Sequence, residues 1–326
     1  MSYSLPGTIA LSYGAEVAQA KVDWGRLLGV LDVAPVPEVS NPESAIEAAL
    51  RSPIGLDRHV FQTVRPGQRV CIIVSDAFRQ TRADQFLPPL INGLNAAGII
   101  DDAITILFAT GTHRAPTPGE QERILGQEMY GRLKANIGIH NAHDKAAHVY
   151  LGTTSRGTPV WINRAAQEAD VAIATGTVVL HYFGGFGGGR KAIVPGIASV
   201  ETIAHNHAMN LHPIEDRRDP AVRIGSMDGN PVAEDMLEAA RLAKCDYIIN
   251  TVLNRDGRIA GIFAGELEAA HRAAADFASK MYTIPIQECA DLVIASAGAA
   301  KNYVQSHKAL YNAYQAVKPD GRIIFL

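Results

Sequence analysis

The chain has 326 residues, 47% of them hydrophobic and 19% charged, which is enough to bury one large domain or two ordinary ones. A formal net charge of −3 without clustered Lys and Arg excludes a nucleic-acid footprint, and three widely spaced cysteines exclude a disulfide framework or a cysteine-rich zinc site. No basic leader precedes an apolar stretch and no apolar run reaches membrane-spanning length, so a cytoplasmic protein with no membrane partner is expected.

The first continuous apolar run, 69–75, reads as a parallel strand buried on both faces, with Cys71 as a small core hydrophobe. Ligands of open α/β sheets bind beyond the carboxyl ends of the strands, so the residues just past each strand matter most. Here they include Asp76 and Arg79. Arg79 offers a forked donor set for a carboxylate or phosphate, or else Asp76 caps a helix and Arg79 lies in solvent. The second run, 103–109, leads through Gly111 to His113. An imidazole there suits proton transfer near neutral pH, or it is an inconsequential loop histidine. His140, His143 and Asp144 invite a metal reading or serve as loop structure.

The third run, 170–175, precedes His181 and a segment with five glycines among six positions, Gly184 to Gly189, followed by Arg190 and Lys191. Such density leaves backbone N–H groups open to an anion, so Gly187, Gly188 and Gly189 are read as a phosphate cradle. The order is not that of a Walker A loop, and the dinucleotide fingerprint is missing. A helix is predicted from 199 onward, carrying His205 and His207. Two residues apart on a helix, they point in different directions and do not chelate one metal together. Further on, 231–243 reads as a helix with Pro231 in its first turn, 247–253 as a strand and 267–281 as an Ala-rich helix. A boundary is placed near 282. Beyond it come a strand at 292–296, a helix face shared by Gln305 and Lys308, and a core strand at 321–326. The expectation is an α/β protein of mostly parallel sheets flanked by helices. Residues 1–281 form a cofactor-binding domain, and 282–326 begin a second α/β domain that continues beyond the chain.

Taken in order, these segments resemble the nickel-pincer lactate racemase family over nearly the whole chain. The most specific part is His181, Lys191 ten residues later and His207 sixteen beyond that. The resemblance implies a racemase or epimerase of a small 2-hydroxy acid, an isomerase supplied by cofactor-synthesis proteins. Its cofactor is a nickel-pincer nucleotide, attached covalently through Lys191 and contacted by Asp76 and the glycine loop. It further implies that His207 ligates the nickel, that His113 or His181 exchanges the hydroxyl proton, and that Arg79, Gln305 and Lys308 hold the carboxylate. The cofactor accepts and returns hydride, because the α-hydrogen of a 2-hydroxy acid is too weakly acidic to leave as a proton. Phe78, Gln80, Val304 and the segment 296–300 depart from the family pattern at substrate-facing positions, which points to a 2-hydroxy acid different from or bulkier than lactate. The alternatives are a non-catalytic carrier of a phosphorylated ligand, a zinc-dependent hydrolase built on His140, His143 and Asp144, and a nicotinamide dehydrogenase that the missing fingerprint disfavours.

Overall fold

The computed structural model describes residues 7–22, 25–243, 245–298, 300 and 303–326, without the side chains of residues 7, 22, 304 and 305. The chain divides into two compact units, Pro35–Tyr282 and a smaller one from Met1–Ala34 and Thr283–Leu326.

The larger unit is built on a six-stranded sheet in the order Ile259–Gly265, Tyr247–Leu253, Val171–Thr177, Val70–Ser75, Ile104–Ala109, Ile137–Ile139. Neighbours are parallel except Ile259–Gly265, which returns antiparallel beside Tyr247–Leu253. The chain starts in the middle at Val70–Ser75, runs outward to Ile137–Ile139, then crosses to Val171–Thr177 and proceeds the other way. The order therefore reverses between Val70–Ser75 and Val171–Thr177, and a sheet of this kind leaves a ligand crevice at that switch point.

The apolar runs are continuous because both sheet faces are covered. Val70, Ile72, Val74, Ile104, Ile106 and Phe108 pack under the helices Pro42–Arg51 and Ala83–Ala96. Cys71, Ile73, Leu107 and Ile248 face the opposite core with Val232, Met236 and Ala240 of the helix Pro231–Leu242. Alternate residues of one strand thus feed two separate cores. Cys71 is fully buried, and burial pushes its thiol up to about 12, so it behaves as the small hydrophobe expected. Helix starts follow local chemistry: the Asn41 and Asn230 side chains accept backbone N–H groups just ahead of Pro42 and Pro231.

The smaller unit holds a hairpin, Gly7–Tyr13 with Glu16–Val22, and a strand–helix–strand unit, Ala290–Ala295, Tyr303–Tyr314 and Val317–Phe325, with its strands parallel. The first residues cluster there rather than with the larger unit to which the sequence assigned them. The hairpin carries Tyr13 and Gly14 against Gly298, and Gly14 N–H bonds the Gly298 carbonyl at 2.9 Å. The last strand is not the core strand expected: its residues are exposed or half-buried, with none fully buried. Among the described residues no helix is long and apolar enough to cross a membrane.

Candidate active site

Asp76, Arg79 and His181 follow the two strands that flank the switch point, and His113 follows the next strand, Ile104–Ala109. Asp76 comes directly after Val70–Ser75 and is 4% exposed. It does not begin a helix; the next one starts at Ala83. One carboxylate oxygen accepts the Phe78 N–H at 3.0 Å, tightening the turn, and the other meets Nδ1 of His113 at 2.5 Å. His113 reaches this point from the end of Ile104–Ala109, where its N–H bonds the Thr110 carbonyl at 2.8 Å. A carboxylate can only accept, so Nδ1 carries a proton, and in the neutral ring Nε2 keeps its lone pair. The Phe78 ring stands edge-on to His113 at 5.0 Å. Arg79 is half-buried, and its charge is felt at the Tyr182 phenol, where it opposes the upward push of burial.

Beyond Val171–Thr177, Nδ1 of His181 accepts the N–H groups of Phe183 and Gly184, both at 3.2 Å. The glycines that follow are packed, not open. Gly187 N–H bonds the Val179 carbonyl at 2.8 Å and Gly189 N–H bonds Oδ1 of Asn250 at 2.9 Å. At Gly188, with φ of +70°, a Cβ would lie 2.4 Å from Oδ1 of Asn250. The cradle read from glycine density is corrected to that extent: two of its three amides are bonded within the protein, and the missing side chains let Asn250 and the sheet approach. Arg190 turns inward and is 4% exposed, while Lys191 is half-buried with its Cδ 3.8 Å from where a Cβ on Gly184 would stand.

The helix Val200–Ala208 is capped by the Ser199 hydroxyl, which accepts from Thr202 N–H. Asn206 on this helix is fully buried and donates to the Val232 carbonyl at 3.1 Å and to Asp235 at 2.8 Å. The Asp235 carboxylate also accepts the hydroxyls of Thr154 and Thr158. With Asn206 fixed, His205 points to solvent and His207 points inward, close to Phe183 at 5.9 Å between ring centroids. Burial and the nearby Lys191 charge bring the His207 imidazole down to about 4, against a smaller opposing pull from the Ile203 carbonyl. Its Nδ1 is buried and has no hydrogen-bond partner among the described residues.

The profile described as the lactate racemase N-terminal domain matches residues 13–217. The lactate racemase of Lactiplantibacillus plantarum is 33% identical over 323 residues, spanning 98% of this chain and 74% of that protein. The chain belongs to the lactate racemase family. The lactate racemase of Thermoanaerobacterium thermosaccharolyticum is 34% identical over 286 residues, which span 86% of this chain and 65% of that protein. The solved apoprotein of lactate racemase from Thermoanaerobacterium thermosaccharolyticum aligns with a TM-score of 0.83 at 30% identity, over 98% of this chain and 74% of that one. A solved Thermotoga maritima protein shares the fold, with a TM-score of 0.64 at 20% identity over 80% of this chain and 64% of that one.

For this member of the lactate racemase family, an isomerase family, contacts join several residues that the sequence singled out. Asp76 bonds His113, and His207 lies near both Lys191 and Phe183. Asp76, expected to contact the cofactor, bonds His113 and the Phe78 amide. Gln305 and Lys308 lie on the helix Tyr303–Tyr314 of the smaller unit, the Gln305 side chain outside the described residues. The zinc reading finds no support at His140: its Nε2–H donates to the Ala198 carbonyl at 3.0 Å, while Nδ1 meets the Asn163 amide at 3.2 Å. Among the described residues no group of three or more His, Cys, Asp or Glu is arranged to hold a metal. His140 instead backs the His113 turn, its carbonyl accepting the Thr110 hydroxyl at 2.6 Å.

Sequence reasoning missed His271, Asn250 and Asp235. Each sits in a helix or strand far along the chain from its partner, and a buried polar residue on an otherwise apolar or Ala-rich stretch was the one available signal. His140 and His271 also carry a pH prediction. Burial is the main cause that brings them from 6.5 down to about 4 and about 3. Unfolded, they bind protons that the folded protein refuses, so their contribution is intact above pH 6.5 and is lost as pH falls toward those lower values. Each contributes a slope of up to about 1.4 kcal/mol per pH unit within its window. Urea midpoints measured at pH 7, 6 and 5 should fall steadily; equal midpoints at pH 7 and 5 contradict the assignment.

Proposed function

We propose that this protein racemises a small 2-hydroxy acid, lactate first among those to assay, with a nickel-pincer nucleotide held by Lys191 and His207. The reading is carried by the Asp76–His113 hydrogen bond at the switch point of a sheet in a lactate racemase family chain. His207 suits a metal: it is a neutral imidazole with a buried nitrogen that no protein group fills, beside the Lys191 amine. When bound, the nucleotide supplies an acceptor for the hydride that C2 of the substrate must lose.

The protein's own groups do the rest. Asp76 fixes the His113 tautomer and aims its ring, so Nε2 is ready to take the hydroxyl proton as the C2–H bond breaks. Arg79 offers a forked pair of donors to the carboxylate. With Nδ1 of His181 accepting two backbone amides, its Nε2 carries the proton and presents a donor to an oxygen. Once C2 is planar its configuration is lost, and hydrogen returning to either face gives either enantiomer. Phe78 lines the His113 side of the site with an exposed aromatic ring, so acids with larger apolar side chains belong in the substrate panel.

The chain co-expressed with cofactor-synthesis proteins should carry one nickel and an added mass on Lys191, and should interconvert L- and D-lactate. Lys191→Ala should remove the added mass and at least about 99% of turnover, since the whole hydride acceptor goes with it. Zinc without nickel, an unmodified Lys191 and no interconversion of any 2-hydroxy acid would sink the proposal.

A further inference from the structure

Arg190 carries a buried charge without a carboxylate in ion-pair contact among the described residues. Its guanidinium is satisfied by neutral groups. Nε donates to the Ala233 carbonyl at 3.1 Å, Nη2 to the Gly184 carbonyl at 2.8 Å and Nη1 to Nδ1 of His271 at 3.0 Å. An arginine donates only, so Nδ1 of His271 is the acceptor and its proton sits on Nε2, which donates to the Gly187 carbonyl at 2.8 Å. His271 is 2% exposed and comes from the helix Ala269–Tyr282, on the far side of the glycine loop. Its ring fills the space beside Gly189, where a Cβ would lie 2.5 Å away.

This pair therefore grips the loop at Gly184 and Gly187, packs against Gly189, and ties Arg190 to the start of the helix Pro231–Leu242. The residue after Arg190 is Lys191, whose side chain runs past Gly184. Neither Arg190 nor His271 shares a hydrogen bond with His113, Asp76 or His207 among the described residues. A buried guanidinium with no carboxylate in direct contact is costly to keep, since Glu268 and Asp228 act on its charge only from a distance, and a contacting carboxylate would satisfy it more simply. A neutral imidazole does something a carboxylate cannot: it accepts from the arginine on one nitrogen and donates to the loop backbone with the other.

We propose that His271 and Arg190 are positioning residues that preset the Lys191 amine by clamping the glycine loop from behind. The role of Lys191 rests on the proposed racemase function; the clamp itself does not. Loss of the His271 ring leaves Arg190 without one acceptor and the Gly187 carbonyl without its donor, so the loop opens locally while the sheet stays folded.

The test compares the parent chain with His271→Ala and His271→Asn. Asparagine can offer Oδ1 near the position of Nδ1 and so keep the Arg190 contact. Two quantities are read: the labelling rate of Lys191 by an amine-selective reagent relative to Lys280, and amide hydrogen exchange across 184–191 relative to the 70–75 strand. For His271→Ala both ratios should rise at least about ten-fold, since two buried hydrogen bonds are lost and one alone is worth about that factor, and His271→Asn should recover at least half of the effect on a logarithmic scale. The fraction of Lys191 carrying the cofactor mass should fall in the alanine variant and recover in asparagine. Unchanged ratios in His271→Ala overturn the clamp, as does an equal rise at Lys280 and in the 70–75 strand, which marks global loosening. An unmodified Lys191 in the parent would end the functional reading alone, because labelling and exchange still decide the clamp.

Discussion

His113→Ala is expected to lower lactate racemisation by the nickel-loaded protein by about 10²–10⁴-fold, the usual range for removing a general base. The side chain is more than a third exposed, and its principal contacts are Asp76 and the edge of Phe78, so the fold does not depend on it. The melting temperature and nickel content should stay close to those of the parent. His113→Gln is the sharper variant, because it offers Asp76 a donor yet supplies no basic nitrogen. It should be as inactive as alanine if proton transfer is the role, and substantially active if His113 only orients the substrate. Asp76→Asn should also be slow, since an amide can donate to the ring and favour the other tautomer. Chiral chromatography of lactate over time reads all three. Activity of His113→Ala within about three-fold of the parent is too small a loss for a missing base and would remove it from that role.

Gly189→Ala is expected to be a strongly destabilising single-methyl change in the site. The residue has φ of +50°, and the added Cβ would lie 2.5 to 2.9 Å from three atoms of the His271 side chain. Left-handed backbone costs an alanine roughly 1 kcal/mol, and overpacking a buried, hydrogen-bonded ring adds about 1–3 kcal/mol. His271 has little freedom to yield, because both its nitrogens are engaged. The sum is a loss of about 2–4 kcal/mol in denaturant stability, together with poor loading of Lys191. Gly119→Ala, on a helix with nothing within 4 Å of the new Cβ, is the matched control and should be near neutral. If Gly189→Ala proves as stable as the control, the loop is not packed against His271.

These two residues differ in how far the sequence could reach them. His113 stands four residues past a continuous apolar run, and the rule that ligands collect at the carboxyl ends of parallel strands made it a candidate without any coordinates. Its partner was not legible, since Asp76 is 37 residues away and only the pairing of two neighbouring strands brings their ends together. At the glycine loop the glycines were plain but their meaning was not. A glycine that exposes its amide to a ligand and one that admits a neighbouring side chain look alike in sequence, and here Asn250 and His271 are those neighbours.

The sequence by itself determined the four central strands of the larger unit's sheet and three of its helices, because continuous apolar runs, a proline in a first helical turn and an Ala-rich helix are local patterns with local causes; the edge strands Ile137–Ile139 and Ile259–Gly265 and the helices Pro42–Arg51 and Ala83–Ala96 were not read from it. It also determined that His205 and His207 diverge, a consequence of helical pitch alone. Only the tertiary structure decided that residues 1–34 cluster with the last stretch of the chain, that Arg190 turns inward to a histidine 81 positions away, and that Asn206 fixes the inward face of its helix through Asp235. Those are contacts between residues distant in sequence, set by which strands pair and which helices cover them, and no periodicity along the chain records them.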